Sequence, residues 1–183
     1  MTVFWRDTPL SESETKLLNL TLEAHSQSAM RDNISSVVLT HAARGSGDLT
    51  KSLIAALSTL GGLHAPLEPT YEFIYELGDD EPVKASGFVP GWGNSFVKGE
   101  PDPLWKAVDA QLGEVAPDIS KTLAHVTMSL REKGRNVYPN PSAYTAAVGQ
   151  ALGISPRLLP WLFIQGRLSA WTALFQSVTK GVE

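Results

Sequence analysis

The chain contains no cysteine, and this absence excludes several kinds of chemistry. Without thiols, the 183 residues offer no disulfide framework, no thiolate zinc site and no cysteine nucleophile. Positive charge is also scarce, since 15 Lys and Arg stand against 19 Asp and Glu, for a net charge of -4. A chain without a basic field has little to hold a phosphate backbone, so no nucleic-acid partner is expected.

Long hydrophobic runs are missing as well. The longest apolar stretch, residues 158–175, is interrupted by Gln165 and Arg167, whereas a bilayer-spanning helix needs about 20 apolar residues. The first ten residues lack the basic start and apolar run of a secretory leader. We therefore expect a cytoplasmic protein with no membrane partner.

Most of the chain follows the helical period. Ser11 and Glu14 form a capping box that predicts a helix over about 11–30, and Asp32 or Asn33 is expected to cap the next one. Further helices are predicted after Asp48, before Leu77, after Pro103, after Pro117, around 144–152, and from Ser155–Pro156 to about Val178. Only the region 78–98, rich in Gly, Pro and Asp, favours a loop or a short hairpin. The predicted fold class is all-α.

The four histidines differ in their setting. His25, His41 and His125 fall inside helical patterns without the spacing of metal ligands, so no metal site is expected. His64 follows two glycines at a predicted helix start, where the helix dipole favours a neutral imidazole. From position alone, it either donates a hydrogen bond to a substrate carbonyl or fills a tight helix entry.

Two other features carry chemistry. The turn 90–94 contains two glycines whose backbone groups are open to a flat ligand, although a tight structural turn is the commoner reason for such a pattern. Arg167 places a charge on an apolar helix face. A buried guanidinium needs a partner, which is either a structural Asp or Glu or the carboxylate of a ligand.

Taken in chain order, these segments resemble the C-terminal half of the citrate synthase family. Residues 61–65 (GGLHA) resemble its GPLHG segment, and residues 89–94 (VPGWGN) with Asp102–Pro103 resemble its PG[YF]GH loop and the DPR that follows. Residues 138–167 resemble its YPNVDxY, ALGIP, LF and GR pattern. The resemblance covers about residues 30–180.

The resemblance implies a helical fold with a small domain inserted around residues 78–135. It implies that residues 1–77 form part of the large domain, that residues 78–153 form a small CoA-binding subdomain, and that residues 154–183 return to the large domain. It also implies that a family member's first half is absent.

The resemblance further implies which catalytic groups are kept. His64 corresponds to the histidine that polarises the thioester carbonyl, whereas Asn94 stands at the second histidine and Ser142 at the aspartate that removes the methyl proton. A serine hydroxyl is too weak a base to replace that carboxylate. Leu104 replaces one carboxylate-binding arginine, and Arg167 keeps the other.

On the CoA side, the resemblance implies a retained binding loop. Its members are Leu63, Val89, Gly91, Trp92, Gly93 and Lys98, and the indole of Trp92 is expected to offer a stacking face. These positions predict a degenerate citrate synthase-like protein that binds acetyl-CoA or another acyl-CoA, carries no covalent cofactor, and acts through a partner such as a full-length homologue or an acyl-CoA enzyme.

Two alternatives stay open. One is an altered condensing transferase or a citryl-CoA-lyase-like enzyme that uses His64 and Arg167 on a small carboxylate ligand; the other is a purely structural interaction surface. A homodimer is also expected, because the family resemblance implies pairing through helices. We also expect the chain to expose an apolar stripe that a second copy would cover. That stripe comprises Leu159, Leu162, Phe163, Ala170 and Leu174.

Overall fold

The computed structural model describes residues 6–31, 33–61, 65–77, 83, 87–94 and 96–180. Eight α-helices occur in these residues, α1 (Glu12–Ala29), α2 (Ile34–Ser46), α3 (Leu49–Leu57), α4 (Leu67–Glu76), α5 (Lys106–Val115), α6 (Pro117–Glu132), α7 (Pro141–Ala151) and α8 (Leu159–Thr179). The described residues contain no strand, only one antiparallel bridge between Trp92 and Pro139. The predicted all-α fold is confirmed. None of the described helices is long and apolar enough to cross a membrane.

Local capping signals set the first three helices. The Ser11 amide donates to the Glu14 carboxylate at 2.7 Å, and the Glu14 amide donates to the Ser11 hydroxyl at 3.2 Å, which confirms the capping box. Asn33 accepts from the Ser36 amide at the start of α2, and Asp48 accepts from the Lys51 amide at the start of α3. These caps were readable from sequence because they join residues only three positions apart.

The last helix begins later than predicted. Ser155 makes no capping bond with its side chain, and a 3₁₀ turn over Pro156–Leu158 precedes α8. Pro160 explains the delay, because it has no N–H to close an α-helical bond on the Pro156 carbonyl. That carbonyl accepts instead from the Leu159 amide. The prediction of a single helix from Ser155–Pro156 was wrong.

The chain divides into two compact units. Unit 1 comprises the described parts of Met1–Thr21 and Pro66–Leu159, and unit 2 those of Leu22–Ala65 and Pro160–Glu183. Residues 66–77 group with the second predicted segment rather than with the first, because α4 packs against α7 and the Gln150 amide donates to the Tyr71 carbonyl at 2.8 Å. The functions implied for the three predicted segments stay predictions.

Each unit has its own core. In unit 1, the fully buried ring of Trp105 stacks on Tyr144 at 5.3 Å, beside the buried leucines of α5 and α6. In unit 2, Leu39 and Trp171 belong to a buried cluster on which Leu174 packs. The stripe predicted to be exposed on α8 is in fact turned inward, since Leu162 and Phe163 are buried. The prediction that this stripe awaits a second chain was wrong.

Candidate functional site in unit 1

The loop over residues 89–94 is joined to the strand-like segment 138–140 by main-chain hydrogen bonds. The Gly93 amide donates to the Tyr138 carbonyl at 2.9 Å, and the Asn140 amide donates to the Gly91 carbonyl at 2.8 Å. These two bonds flank the bridge between Trp92 and Pro139. The loop is therefore fixed to the segment that leads into α7, so its backbone is held in one conformation.

Gly91 is required by packing. Its φ is +87°, and a Cβ placed there would lie 2.6 Å from Thr70 Cγ2 and 3.1 Å from the Ala143 Cβ. Atoms at those distances overlap, and both neighbours belong to helices. The glycine therefore lets the loop fit between α4 and α7, which is a structural need whether or not a ligand binds.

Gly93 has a different environment. Its φ is +98°, but a Cβ there would meet only Val137, at 3.9 Å. Gly93 lines a pocket of about 280 Å³, together with Asn94, Val97, Lys98, Gly99, Glu100, Asp102, Asn136, Val137, Tyr138 and Pro139. Pockets for whole small ligands are typically about 300–1,000 Å³, so this volume suits one part of a ligand as large as CoA.

Trp92 does not offer the stacking face that was expected. Its ring is 4% exposed, meets Phe73 edge-on at 5.7 Å, and donates from Nε1 to the Thr127 hydroxyl at 3.0 Å. Because the indole is buried and its N–H is already bonded, it belongs to the core, so the expectation that its ring offers a face to a ligand was wrong. Val89 is buried as well, and its carbonyl accepts from the Trp92 amide.

Asn94 is occupied by bonds within its own loop. Its Nδ2 donates to Asp102 Oδ2 at 3.0 Å, and its Oδ1 accepts from the Phe96 amide at 2.9 Å. Asp102 is 4% exposed, and its other oxygen accepts from the Leu104 amide at 3.1 Å. The side chain that stands at the family's second histidine thus braces the loop.

Ser142 lies in the first turn of α7 and is buried. Its amide donates to Asn140 Oδ1 at 2.8 Å. Among the described residues, no group of three or more His, Asp or Glu side chains is arranged to hold a metal ion. Position 142 therefore brings a hydroxyl, with no carboxylate, to the start of α7.

Arg167 lies in unit 2 and is buried without an acidic partner among the residues the structure describes. It donates from Nη1 to Asn33 Oδ1 at 3.2 Å and from Nη2 to the Ser28 hydroxyl at 3.4 Å, and its Nε has no partner. The guanidinium also stacks over the Phe163 ring at 4.1 Å. Burial lowers the pKa of Arg167 to about 10. Of the two partners left open by the sequence, no structural Asp or Glu pairs with Arg167 among the described residues.

His25 is the other buried base of unit 2. It is fully buried, and its ring lies 4.7 Å from that of Phe163. Burial, and then the charge of Arg167, hold the pKa of His25 well below its usual value. A Cβ at Gly166 would lie 2.5 Å from the His25 Cβ, so the two helices touch closely at this point. His25 therefore stays neutral near pH 7.

Leu63 and His64 lie outside the described residues, so their predicted roles stay predictions. Lys98 is exposed and lines the unit 1 pocket. Sequence reasoning assigned no role to Asn140 or to Asp102, although Asn140 precedes a proline at a helix start and so carried a capping signal. The bonds these two side chains make to the loop had no local signal, because they reach residues distant in sequence.

Comparisons with known proteins agree with this architecture. The family model for the C-terminal domain of citrate synthase matches residues 2–177. The structure of citryl-CoA lyase from Hydrogenobacter thermophilus is similar, with a TM-score of 0.76 and 21% identity, over 93% of this chain and 71% of that one. No curated protein sequence matches the chain. An identity of 21% supports a shared fold and leaves the activity open.

Proposed function

Because this chain belongs to the citrate synthase family, we propose that it binds CoA or an acyl-CoA at the 89–94 loop and does not synthesise citrate. One observation carries the proposal. The loop backbone is hydrogen-bonded to residues 138–140 and borders a pocket with both polar and apolar lining residues. The side chains at the family's proton-transfer positions are Asn94, which is engaged by Asp102, and Ser142, which has no carboxylate.

The pocket supports the binding half of the proposal. CoA is a long anion with amide groups and phosphates, so it needs hydrogen-bonding groups and positive charge along its path. Gly93, Asn136 and the exposed Lys98 provide such groups in one pocket. An exposed lysine that borders a pocket suits the phosphates better than the acyl end, because it remains hydrated.

The engaged and substituted side chains support the second half. An amide cannot carry a proton between donor and acceptor at neutral pH, and a hydroxyl is a far weaker base than a carboxylate. Loss of a general base typically slows a reaction by about 10²–10⁴. Leu104 brings no charge to help a substrate carboxylate. These losses favour a protein that holds an acyl-CoA over one that condenses it.

The proposed partner is a second copy of this chain, a full-length homologue or an acyl-CoA enzyme. The apolar residues available for such contact in unit 2 are Met30, Ile34, Val37 and Ile54, which are exposed. Ile34 and Val37 lie three residues apart in the first turn of α2 and so share one face of that helix. These residues take the place of the α8 stripe, which is buried.

Binding is tested by calorimetric titration with acetyl-CoA. The wild type is expected to bind, and Lys98→Glu is expected to raise the Kd about tenfold or more, because a negative charge replaces the positive charge at the pocket. Lys106→Glu makes the same charge change at an exposed lysine of α5 outside the pocket lining and should bind like the wild type. Absence of binding to the wild type at millimolar ligand contradicts the proposal.

Catalysis is tested with a thiol-reactive dye. Acetyl-CoA plus oxaloacetate should release no CoA above background, and His64→Ala should leave that result unchanged. Turnover in the wild type that His64→Ala abolishes would replace this proposal with an altered condensing enzyme. The triple variant Ser142→Asp, Asn94→His, Leu104→Arg restores the three family residues and serves as the positive comparison.

A second candidate, a condensing transferase or citryl-CoA-lyase-like enzyme using His64 and Arg167, is favoured by one observation. The buried guanidinium of Arg167 has an Nε–H without a partner and no carboxylate among the described residues, so a ligand carboxylate would supply what it lacks. In thermal-shift assays, citrate or oxaloacetate should stabilise the wild type and fail to stabilise Arg167→Met. Equal shifts in both proteins exclude Arg167 from the site.

A further inference from the structure

Asn140 connects the binding loop to α7 through both ends of its side-chain amide. Its Oδ1 accepts from the Ser142 amide at 2.8 Å and caps the helix. Its Nδ2 donates to the Gly93 carbonyl at 2.9 Å. These neighbours fix the orientation of the amide, since a carbonyl requires a donor and an N–H requires an acceptor.

The Gly93 carbonyl depends on this bond for its direction. A glycine at φ +98° has no Cβ to restrict its peptide, and a Cβ there would touch nothing closer than 3.9 Å. The Gly93 amide is held by Tyr138 on one side of the residue. The side chain of Asn140 holds the next peptide, which joins Gly93 to Asn94. Gly93 and Asn94 both line the pocket.

We propose that Asn140 is a positioning residue for the bound acyl-CoA. Through its side-chain amide it sets the orientation of the Gly93–Asn94 peptide, and this peptide forms one wall of the pocket. The inference rests on the proposed binding of acyl-CoA in unit 1. Asn140 itself is not among the pocket-lining residues, so it acts through Gly93 and not by contact with the ligand.

The substitution Asn140→Asp separates the two bonds. Aspartate caps a helix as well as asparagine does, and its negative charge is favourable at a helix N-terminus, so α7 keeps its cap. A carboxylate has no N–H, so it loses the bond to the Gly93 carbonyl and repels that oxygen. We expect the Kd for acetyl-CoA to rise about tenfold and the midpoint of urea unfolding to fall only slightly, because the helix cap is kept and only the bond to the Gly93 carbonyl is lost.

Two further variants complete the design. Asn19→Asp makes the same chemical change at an exposed position of α1 and should leave the Kd unchanged. Asn140→Ser keeps a capping oxygen and adds no charge, but its shorter side chain has no N–H to reach the Gly93 carbonyl. It should therefore weaken binding by a smaller factor than Asn140→Asp. Asn140→Ser also provides the test if the aspartate variant does not fold.

Amide hydrogen exchange supplies a readout that needs no ligand. Faster exchange of the Gly93 amide in Asn140→Asp, with α7 protected as in the wild type, supports the positioning role. Wild-type binding together with an unchanged Kd in both Asn140 variants overturns the inference and leaves the proposed function intact. Failure of the wild type to bind acetyl-CoA overturns the proposed function, and unchanged Gly93 exchange in that case also overturns the positioning role.

Discussion

The loop of unit 1 and the buried arginine of unit 2 handle polarity in opposite ways. In unit 1, Asn94, Asn140 and the Trp92 indole each meet a matching group at about 3 Å. In unit 2, Arg167 is buried with two long hydrogen bonds and one N–H that has none. The hydrogen bonds of unit 1 stabilise the loop without any further group. The buried charge of Arg167 in unit 2 lowers the stability of the fold unless a group of opposite charge compensates for it.

Gly91 gives the largest expected effect and tests the scaffold side of this comparison. Gly91→Ala should destabilise the protein by about 3 kcal/mol or more, because the new Cβ overlaps Thr70 and Ala143 and the backbone keeps a positive φ. Gly93→Ala is the matched control, with a similar φ but open space, and should lose only about 1 kcal/mol. Urea unfolding of both variants measures the difference. Equal losses would mean that the loop does not depend on close packing at Gly91.

The pH dependence of stability tests the unit 2 side. The pKa of His25 is held well below 6.5 in the folded protein, so between that lowered pKa and 6.5 the unfolded chain binds more protons. Stability from this group is therefore complete above pH 6.5 and falls as the pH drops from 6.5 toward the lowered pKa.

His25→Gln isolates that contribution. The variant should lose this part of the decrease in unfolding free energy between pH 7 and pH 5, whereas His41→Gln, at an exposed histidine of α2, should keep the wild-type decrease. An unchanged decrease in His25→Gln would show that the buried base of unit 2 does not destabilise the fold in acid.

A substitution at Ala65 is expected to change the free energy of unfolding least. It tests whether the backbone of unit 2 is strained at this one position. Ala65 is the described non-glycine residue with a positive φ, at +60°. Ala65→Gly relieves the clash of the Cβ and should stabilise the protein by about 0.5 kcal/mol, after the larger chain entropy of glycine in the unfolded state is subtracted. A gain in the urea midpoint confirms the strain, and a loss contradicts it.

Much of the fold could be predicted because its signals are local. The caps of α1, α2 and α3 join residues three apart, and Gly47 ends α2 with a left-handed φ. The late start of α8 could not be predicted from Ser155–Pro156 alone, because it depends on Pro160. Pro160 has no N–H to donate to the Pro156 carbonyl four residues earlier, so the first turn cannot be α-helical.

The candidate site was harder to predict than the fold. The burial of Trp92 depends on Phe73 and Thr127, which periodicity does not relate to it. The bond between Asn94 and Asp102 was missed because it joins two parts of a loop without regular structure. The sequence placed Arg167 on an apolar face correctly, yet the lack of an acidic partner among the described residues of unit 2 depends on how that unit folds.

The pairing of Asn94 with Asp102 bears on what a histidine at position 94 would meet. Asp102 is already buried and already directs one oxygen at residue 94. An imidazole at that position would find its orienting carboxylate in place, and such a neighbour fixes the tautomer and raises the pKa of histidine. At position 142 a new carboxylate would have no prepared partner beyond the start of α7. A histidine at position 94 would therefore meet a smaller structural obstacle than an aspartate at position 142.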